Sequence, residues 1–571
     1  MILPLMILIP FAGAILAGAV GRKNPLWSRV ISLLALGLGL GAAFSLWSRA
    51  LWSPAMNMSG LGEDYLWIAE FNHEWIPELG ISLHLAIDGL SLLLVLLTFL
   101  LGIVAVVCSW TEIQKGTGFF HLNLMLTITG VLGVFLSLDL FLFYFFWELM
   151  LVPMYFLISV WGHEGRGYAS VKFFIFTQLS GLLMLLGILG LYFIHGRATG
   201  TYTFDYTRLI GTTLGPREGF WIMLGFFAAF AVKLPVIPFH TWLADAHTEA
   251  PTAGSVLLAG LLLKTGAYGL FRFLLPLFPE AVEGFRIAGM ALGVAGIIYG
   301  ALLAYAQTDL KRLIACSSIS HMGFVLLGIF SMNQLGLQGA VIQMLCHGFS
   351  TGGLFIIAGA LQERLHTRDL AAMGGIWPLA PRMAGAGLFF ALAALALPGL
   401  GNFIGEFLVL LGAYQVNGSL TAIAAAGMAL SAVYSLRIVQ SIFHGRRSES
   451  LQVTDLSPRE MTVMACMAAV IIFLGLFPQP VLDISDPALK RIIPSMRNDK
   501  TVQSVNIDGF VKSRHSREGG NPDARNVLKR MDSRLRPSGM TATERTFYDG
   551  VKIDMTQVHI NPAGPARERT E

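Results

Sequence analysis

The sequence predicts an all-α polytopic membrane protein, and three observations support this fold class. First, the chain of 571 residues is 55% hydrophobic and only 13% charged, with a mean hydropathy of +0.66. Such a composition is typical of membrane proteins rather than soluble domains. Second, apolar runs long enough to cross about 30 Å of hydrocarbon recur as far as about residue 482. Third, two of these runs contain a proline-marked break, which survives at membrane depth only inside protein or beside a cavity.

The apolar runs correspond to about fourteen predicted transmembrane helices. The first run has neither a basic segment before it nor a cleavage-type end, so we expect it to remain as a span. The loop near residues 50–85 combines acidic and aromatic residues and predicts an ordered outer cap. The predicted spans lie near residues 2–21, 28–49, 86–110, 118–137, 139–161, 168–194, 220–243, 251–275, 286–306, 311–331, 335–361, 384–414, 419–443 and 461–482.

The two breaks suggest an internal repeat. They fall at Lys233-Leu-Pro235 and at Leu397-Pro398-Gly399. Proline breaks a helix because it removes a backbone donor and clashes with the preceding turn. The second break lies five predicted helices after the first, and an odd offset inverts consecutive units relative to each other. We therefore predict the regions 1–117 (first helices and outer loop), 118–275 (first unit), 286–443 (second unit), 461–482 (last helix) and 495–571 (a disordered basic tail).

The charge distribution gives no indication of a nucleic-acid partner. From Asp483 onward the chain holds 16 Lys/Arg against 12 Asp/Glu, and this excess equals the net charge of +4, so the remainder is neutral. Part of the tail resembles a translated intergenic repeat of bacterial genomes; the alternative is a basic docking arm. Thirteen Lys/Arg lie in one set of alternate loops and six in the other. The first set is predicted to be cytoplasmic, which puts both termini on the periplasmic side.

No cofactor or metal is predicted for this chain. Four cysteines, Cys108, Cys316, Cys346 and Cys466, are scattered in apolar runs without CxxC spacing, which argues against iron–sulfur and zinc sites. We interpret all four as buried small hydrophobes. No Gly-rich dinucleotide fingerprint occurs in a strand–helix setting, and no depth-matched pair of histidines indicates haem.

Ionisable residues inside apolar runs are the candidate functional residues. A charged lysine at mid-bilayer depth costs roughly 2.5–3.5 kcal/mol on insertion scales, so Lys233 and Lys264 should face the protein interior. Glu148, among aromatics, must pair with a cation or take up a proton, and Lys233 is its natural partner. A static ion pair that fixes helix packing is the structural alternative.

Further titratable residues lie in neighbouring runs. Glu406 follows the second break, and His321 and His347 can bridge proton donors, although either histidine could serve packing alone. His240 begins a polar cluster after the first break, for which we predict proton uptake or helix-end structure rather than a metal site. Asp139 belongs near the outer end of its helix, where it joins the path or only starts the helix.

At these residues the chain resembles the antiporter-like subunits of respiratory Complex I. The matching motifs are FFWELMLVPMY, the whole stretch 233–273, DLKRLIACSSISHMG, MLCHGFSTGGLF and LPGLGNFIGEF, and the resemblance covers roughly residues 1–485. It implies fourteen helices, with inverted five-helix repeats at helices 4–8 and 9–13. It also implies that Glu148 and Lys233 form the first-half pair, that Lys264 is central and that Glu406 is the second-half exit residue.

Within that family the chain is most similar to the ND4-type, or M-type, subunits. The L- and N-type relatives usually carry lysine at the position of Glu406. The chain also lacks any apolar or amphipathic run after about residue 482, whereas the L-type adds a long lateral helix. The tail departs from the family pattern.

The leading hypothesis is a proton-pumping subunit of NADH:quinone oxidoreductase in the bacterial inner membrane. The resemblance implies L-type and N-type neighbours, and it places NADH, FMN, iron–sulfur clusters and quinone in other subunits. The second hypothesis is a subunit of a multisubunit sodium/proton antiporter, which Glu406 disfavours. The third is a passive scaffold, for which two buried lysines and two buried carboxylates are costly.

Overall fold

The computed structural model describes residues 1–52, 67–445 and 453–492, and this part of the chain is mostly helical. The predicted tail at 495–571 lies outside the described residues. The α-helices are α1 Ile2–Val20, α2 Pro25–Trp52, α3 Gly89–Glu112, α4 Thr117–Leu136, α5 Leu140–Leu149, α6 Leu151–Trp161, α7 Arg166–Thr199, α8 Tyr206–Leu209, α9 Pro216–Lys233, α10 Thr241–Glu249, α11 Thr252–Leu257, α12 Leu263–Gly269, α13 Leu275–Leu277, α14 Pro279–Tyr305, α15 Leu310–Phe330, α16 Gln334–Leu365, α17 Pro381–Ala394, α18 Gly401–Tyr414, α19 Gly418–Ile438, α20 Pro458–Leu476 and α21 Gln479–Ile492.

Twelve helices in the described part are long and apolar enough to cross a membrane. They match the predicted spans in order. The remaining two predicted spans, near 220–243 and 384–414, are each made of two shorter helices, α9 with α10 and α17 with α18. The helix α11 continues through two π segments, Leu258–Leu262 and Leu270–Leu274, into α12 and α13, which gives one span over Thr252–Leu277.

Both predicted breaks are present, and they close in the same way. After α9 ends at Lys233, the N–H of Val236 donates to the Ala231 carbonyl at 2.8 Å. After α17, the N–H of Leu397 donates to the Leu392 carbonyl at 3.2 Å. Each bond reaches back five residues, one more than in an α-helix, so both helices end in the same wide turn.

A second local match links the two units. Asp139 caps the start of α5 and Asp309 caps the start of α15. Each forms an isolated antiparallel bridge with a later aspartate, Asp205 or Asp369, which caps a short helix in turn. Such paired features are expected where two units repeat the same design; the inverted arrangement itself remains a prediction.

The centre of the helical array is formed by spans that have no outward face. Thr252–Leu277, α15 and α16 are enclosed on all sides, and α3 and α4 nearly so. In contrast, α1, α2, α7 and α20 expose apolar side chains along one side. Polar side chains on the enclosed spans therefore have to be satisfied by other parts of the protein.

The outer segment contains four short strands. β1 Ala69–Phe71 pairs antiparallel with β4 Leu85–Ile87, and β2 Glu74–Ile76 pairs with β3 Ile81–Ser82. The predicted outer cap near 50–85 is thus ordered from residue 67 onward, whereas residues 53–66 lie outside the described part.

A buried histidine holds this segment to the helices. His84 hydrogen-bonds to Asp205 through Nδ1 (2.7 Å) and to Glu70 through Nε2 (2.8 Å). Burial by itself would lower the pKa of His84, but the hydrogen bonds and charges of Asp205 and Glu70 raise it overall. Hydrogen-bonded to a carboxylate on each side, His84 clamps β1 and the residue before β4 to the start of α8.

Two sequence predictions are corrected at the end of the chain. An amphipathic helix does occur beyond residue 482, because α21 runs to Ile492 and packs against α3 and α16. Its 14 residues are still too few for a long lateral helix. Cys466 on α20 is exposed rather than buried, whereas Cys316 and Cys346 are buried and Cys108 is half-buried. The residues that α21 buries are Val481, Leu482, Ser485, Ala488, Leu489 and Ile492.

The His84 clamp should make the outer segment sensitive to alkaline pH. A raised folded-state pKa means that the stability from His84 is fully present below its unfolded value of about 6.5 and is lost as pH rises through the folded value. We expect limited proteolysis within residues 67–87 to accelerate as pH rises above neutrality. His84→Gln should be cleaved readily throughout, and His73→Gln, at an exposed position, should behave like the parent. A pH response that persists in His84→Gln would contradict this.

Candidate functional site: a line of buried ionisable residues

The predicted site residues lie on six different helices. Lys233, Lys264, His321, His347 and Glu406 are all at most 1% exposed, on α9, α12, α15, α16 and α18 respectively. Glu148, near the end of α5, is half-buried. A dry interior therefore contains both lysines and one of the two carboxylates, as the apolar context of these residues predicts.

Lys264 is directly bonded to His347. Its Nζ lies 2.7 Å from His347 Nδ1 and donates to the Ala259 carbonyl at 2.6 Å. Lys264 follows immediately after the π segment Leu258–Leu262, a wide turn of the kind often found at functional sites. When Lys264 donates to Nδ1, a neutral His347 carries its proton on Nε2, which has no protein partner.

Glu406 is bonded to His321. The Glu406 Oε1 atom lies 3.0 Å from His321 Nδ1 and accepts from Gln343 Nε2 at 2.9 Å. On its other side, His321 Nε2 lies 3.1 Å from the hydroxyl of Tyr434. Glu406 Oε2 is buried without a protein partner, so one oxygen is held by the protein and the other can accept a proton or a water.

The two histidines connect these pairs. Their ring centroids are 5.6 Å apart, with the planes at 62°. Lys264, His347, His321 and Glu406 thus form an unbroken series of contacts across α12, α16, α15 and α18. Three bases and one acid that lie side by side in a buried interior can exchange protons, because a change at one group shifts the equilibrium of the next.

Glu148 and Lys233, the first-half pair, are not in direct contact. The sequence predicts that Glu148 and Lys233 are direct partners, but no ion pair within 4.0 Å joins them in the described residues. Lys233 Nζ instead lies 5.5 Å from the Trp147 ring centroid and 5.4 Å from that of Phe173. A cation–π cage of this kind can hold an ammonium group without a contact carboxylate.

Glu148 is directed toward α7. A Cβ added to Gly181 would come within 2.6 Å of Glu148 Oε1, so the glycine makes room for the carboxylate. Lys233 still acts on Glu148 electrostatically, together with the side chains of Tyr144 and Gln178. The two charges are therefore coupled at a distance, and a small movement of either side chain would change that coupling.

Another glycine brings the first break against α12. A Cβ on Gly266 would lie 2.7 Å from the Phe230 carbonyl and 3.0 Å from Lys233 Cβ. The break is also fixed from α10, because Trp242 Nε1 donates to the Val232 carbonyl at 2.9 Å. These contacts hold Lys233 beside Gly266, which lies two residues after Lys264 on α12.

The remaining predicted residues lie apart from this line. Asp139 accepts hydrogen bonds from the N–H groups of Phe141 (2.9 Å) and Ser82 (2.9 Å), so it starts α5 and holds the outer segment. Burial raises the pKa of Asp139 to about 6, and the bonds from Ser82 and α5 oppose this shift. The His240 ring packs edge-on against Tyr299 at 5.3 Å. Among the described residues, no group of three or more His, Cys, Asp or Glu has the geometry of a metal site.

The sequence analysis missed buried polar residues that complete the site. Tyr434 and Gln343 were not singled out, although each is a polar residue inside an apolar run. Lys311 and Arg272 were counted as loop charges, yet both are buried: Lys311 donates to a backbone carbonyl, and Arg272 is bonded to Asp88. Lys311 is the second residue after the capping aspartate Asp309, so it already lies inside its helix. This signal could have identified Lys311 as a helix residue.

Known proteins are similar in sequence to this chain over most of its length. A family model described as NADH:quinone oxidoreductase/Mrp antiporter, transmembrane, matches residues 137–431. NADH-quinone oxidoreductase subunit M of Pseudomonas aeruginosa is 53% identical over 491 residues, which are 85% of this chain and 96% of that protein. The protein of the same name from Escherichia coli is 51% identical over 500 residues, 86% of this chain and 97% of that protein.

Solved structures show the same fold. A chain of respiratory complex I from Thermus thermophilus is 31% identical, with a TM-score of 0.75 over 86% of this chain and 100% of that chain. A chain of the Mrp complex from Dietzia is 21% identical, with a TM-score of 0.74 over 86% of this chain and 97% of that chain. The second likeness concerns the fold alone.

The contact at Gly266 should be intolerant of a side chain. In Gly266→Ala the new Cβ meets backbone atoms that cannot move aside, so we expect the unfolding free energy to fall by about 1–3 kcal/mol. The thermal unfolding midpoint of the purified protein measures this effect. Gly219→Ala in α9 is the matched control, because its Cβ would meet only the Leu214 side chain, at 3.4 Å. Equal midpoints for the two variants would show that the close approach is not limiting.

Proposed function

Because this chain belongs to the family of NADH-quinone oxidoreductase subunit M, we propose that it carries protons across the membrane along its buried ionisable residues. The observation that carries this proposal is the unbroken contact series from Lys264 through His347 and His321 to Glu406. The chain is a multi-pass membrane component of an enzyme complex. We assign it no redox step, since NADH, FMN, iron–sulfur clusters and quinone belong to other subunits in this proposal.

In the first half, Glu148 and Lys233 control when a proton is released. Movement of Glu148 toward Lys233 stabilises the ammonium, and separation favours loss of its proton to the interior. The separated geometry, with Lys233 against Trp147 and Phe173, corresponds to the releasing arrangement. The proton then passes to Lys264, whose helix lies against the break at Gly266.

In the second half, the proton moves between side chains that lie beside one another; Lys264–His347 and His321–Glu406 are hydrogen-bonded, and the two histidines are in ring contact. Lys264 Nζ gives a proton to His347 Nδ1, and His347 loses the proton on Nε2 toward His321. His321 passes a proton to Glu406, and Glu406 releases one to the far side through its unpartnered oxygen. Each group ends with the proton count it began with, so the line is ready for the next transfer.

The proposed orientation follows from the loop charges. More Lys/Arg lie in the loops predicted to be cytoplasmic, which places both termini on the periplasmic side of a bacterial inner membrane. The proposed partners are the other membrane subunits of the complex, in particular the L-type and N-type antiporter-like neighbours, together with the surrounding lipid.

A sodium/proton antiporter subunit was the second hypothesis. The Mrp likeness supports a shared fold, whereas relatives above 50% identity over most of the chain carry the subunit M name. The relatives therefore support the first hypothesis. Co-purification of this chain with NADH–quinone activity, and identification of the chains that accompany it, test the assignment directly.

Removing either member of the first-half pair should abolish pumping without disrupting the complex. We expect Glu148→Gln or Lys233→Ala to lower proton pumping in inverted membrane vesicles by about a hundredfold or more. NADH oxidation with a soluble electron acceptor should be unaffected, and native gels should show an assembled complex.

Two surface variants serve as controls for charge removal. Glu283→Gln removes an exposed carboxylate, and Lys115→Ala removes an exposed lysine. Both should pump like the parent. Full pumping by an assembled Glu148→Gln or Lys233→Ala complex would refute the proposed function.

A further inference from the structure

A small cavity lies at the last residue of α3. It measures about 20 Å³ as the space open to a water-sized sphere, which is enough for about one water. Glu112 and Glu363 line it together with Thr252, Arg459 and Glu460. Glu363 is exposed to solvent, so the cavity connects the surface to Glu112.

Glu112 is held by one oxygen only. Its Oε1 atom accepts from the N–H and the hydroxyl of Thr252, at 3.0 and 3.1 Å. Its Oε2 atom is buried and has no protein partner. A carboxylate with one anchored oxygen and one unpartnered oxygen beside a water-sized space can take up a proton without giving up its structural contact.

Lys311 is a second buried ionisable residue on this side of the protein. It is fully buried near the start of α15, and its Nζ donates to the Ala250 carbonyl (3.1 Å) and faces His163 Nε2 (3.4 Å). No carboxylate lies within 4.0 Å of Lys311 in the described residues, since Glu249 and Asp309 are bonded to Arg368 instead. Glu112 is the group of opposite charge that acts most strongly on Lys311.

His163 is placed to accept from this lysine. It lies in the loop between α6 and α7, where burial and the charges of Lys311 and Arg368 lower its pKa to about 4. At neutral pH the imidazole is therefore uncharged, and its Nε2 can accept the bond from Lys311 without competing for the proton.

His247 is close enough to Lys311 and Lys264 for the charges of both to act on it. It is fully buried on α10, both ring nitrogens lack a protein partner, and the ring stacks on Phe355 with centroids 4.7 Å apart. A buried imidazole without hydrogen bonds is costly for a protein that uses it only for packing.

We propose that Glu112 takes up protons from the cavity and that Lys311 and His247 pass them to Lys264. This inference rests on the proposed function and adds a separate uptake route into the second half. A water in the cavity gives a proton to Glu112 Oε2 and regains one from the bulk solvent. Lys311 gives one to His247 and regains it from Glu112, and His247 gives its other proton to Lys264. One proton enters the route for each proton delivered, and water molecules bridge the gaps between side chains.

Two substitutions separate this role from a structural one. Glu112→Gln keeps an oxygen that can accept from Thr252 but cannot bind a proton. Glu112→Asp keeps the proton-binding group but shortens the reach to Thr252. If Glu112 takes up protons, Glu112→Gln should lose proton pumping and Glu112→Asp should keep part of it. If Glu112 only anchors Thr252, Glu112→Gln should pump and Glu112→Asp should be impaired.

The experiment uses the assembled complex in inverted membrane vesicles. Glu112→Gln should lower NADH-driven proton pumping by about tenfold or more, and Glu112→Asp should retain clearly more pumping than Glu112→Gln. Glu164→Gln, which removes an exposed carboxylate from the neighbouring loop, should match the parent. Any other order of the two Glu112 variants overturns the uptake route.

Two additions keep the test decisive. If Glu112→Gln does not assemble, His247→Phe replaces it, because phenylalanine keeps the stack on Phe355 and removes both nitrogens; full pumping by that variant overturns the route. Glu148→Gln is measured in parallel. Loss of pumping in Glu148→Gln but not in Glu112→Gln refutes the uptake route alone, whereas normal pumping in Glu148→Gln refutes the proposed function.

Discussion

The structure depends on one electrostatic constraint: an ionisable side chain in a dry interior must find an opposite charge, a dipole or a proton. Lys264 satisfies this constraint with the Ala259 carbonyl and His347. Glu406 does so with His321 and Gln343. Because Lys264 uses His347 as a partner and Glu406 uses His321, satisfying the constraint brings the two pairs side by side, with the two histidine rings in contact. The same contacts that make burial tolerable also make proton exchange possible.

The main features of the fold and of the second half follow from the sequence because their signals are local. A proline beside a charge inside an apolar run predicts a break, and a lysine or glutamate in such a run predicts an interior position. The distance between Glu148 and Lys233 could not be predicted in this way. It depends on the space that Gly181 leaves for the carboxylate and on the rings of Trp147 and Phe173, which belong to other helices.

The burial of Lys311 and the helix α21 could not be recognised from sequence position alone. The position of Lys311 near a helix end suggests a loop charge, but the side chain is fully buried, with its Nζ against the Ala250 carbonyl and His163 in the loop after α6. The helix α21 escaped notice because its apolar residues are interrupted by Asp483, Asp486 and Pro487. Its amphipathic pattern becomes meaningful only when α3 and α16 provide the surface that it covers.

Asp139 joins the outer strands to the helix that carries Glu148. One of its oxygens accepts the N–H of Ser82 in β3, and the other accepts two N–H groups at the start of α5. Glu148 lies nine residues further on, about two and a half helical turns. A helix is stiff along its axis, so the position of Asp139 at the start of α5 fixes the depth of Glu148 near its end. A displacement of β3 would therefore also displace α5 and, with it, change the depth of the Glu148 carboxylate.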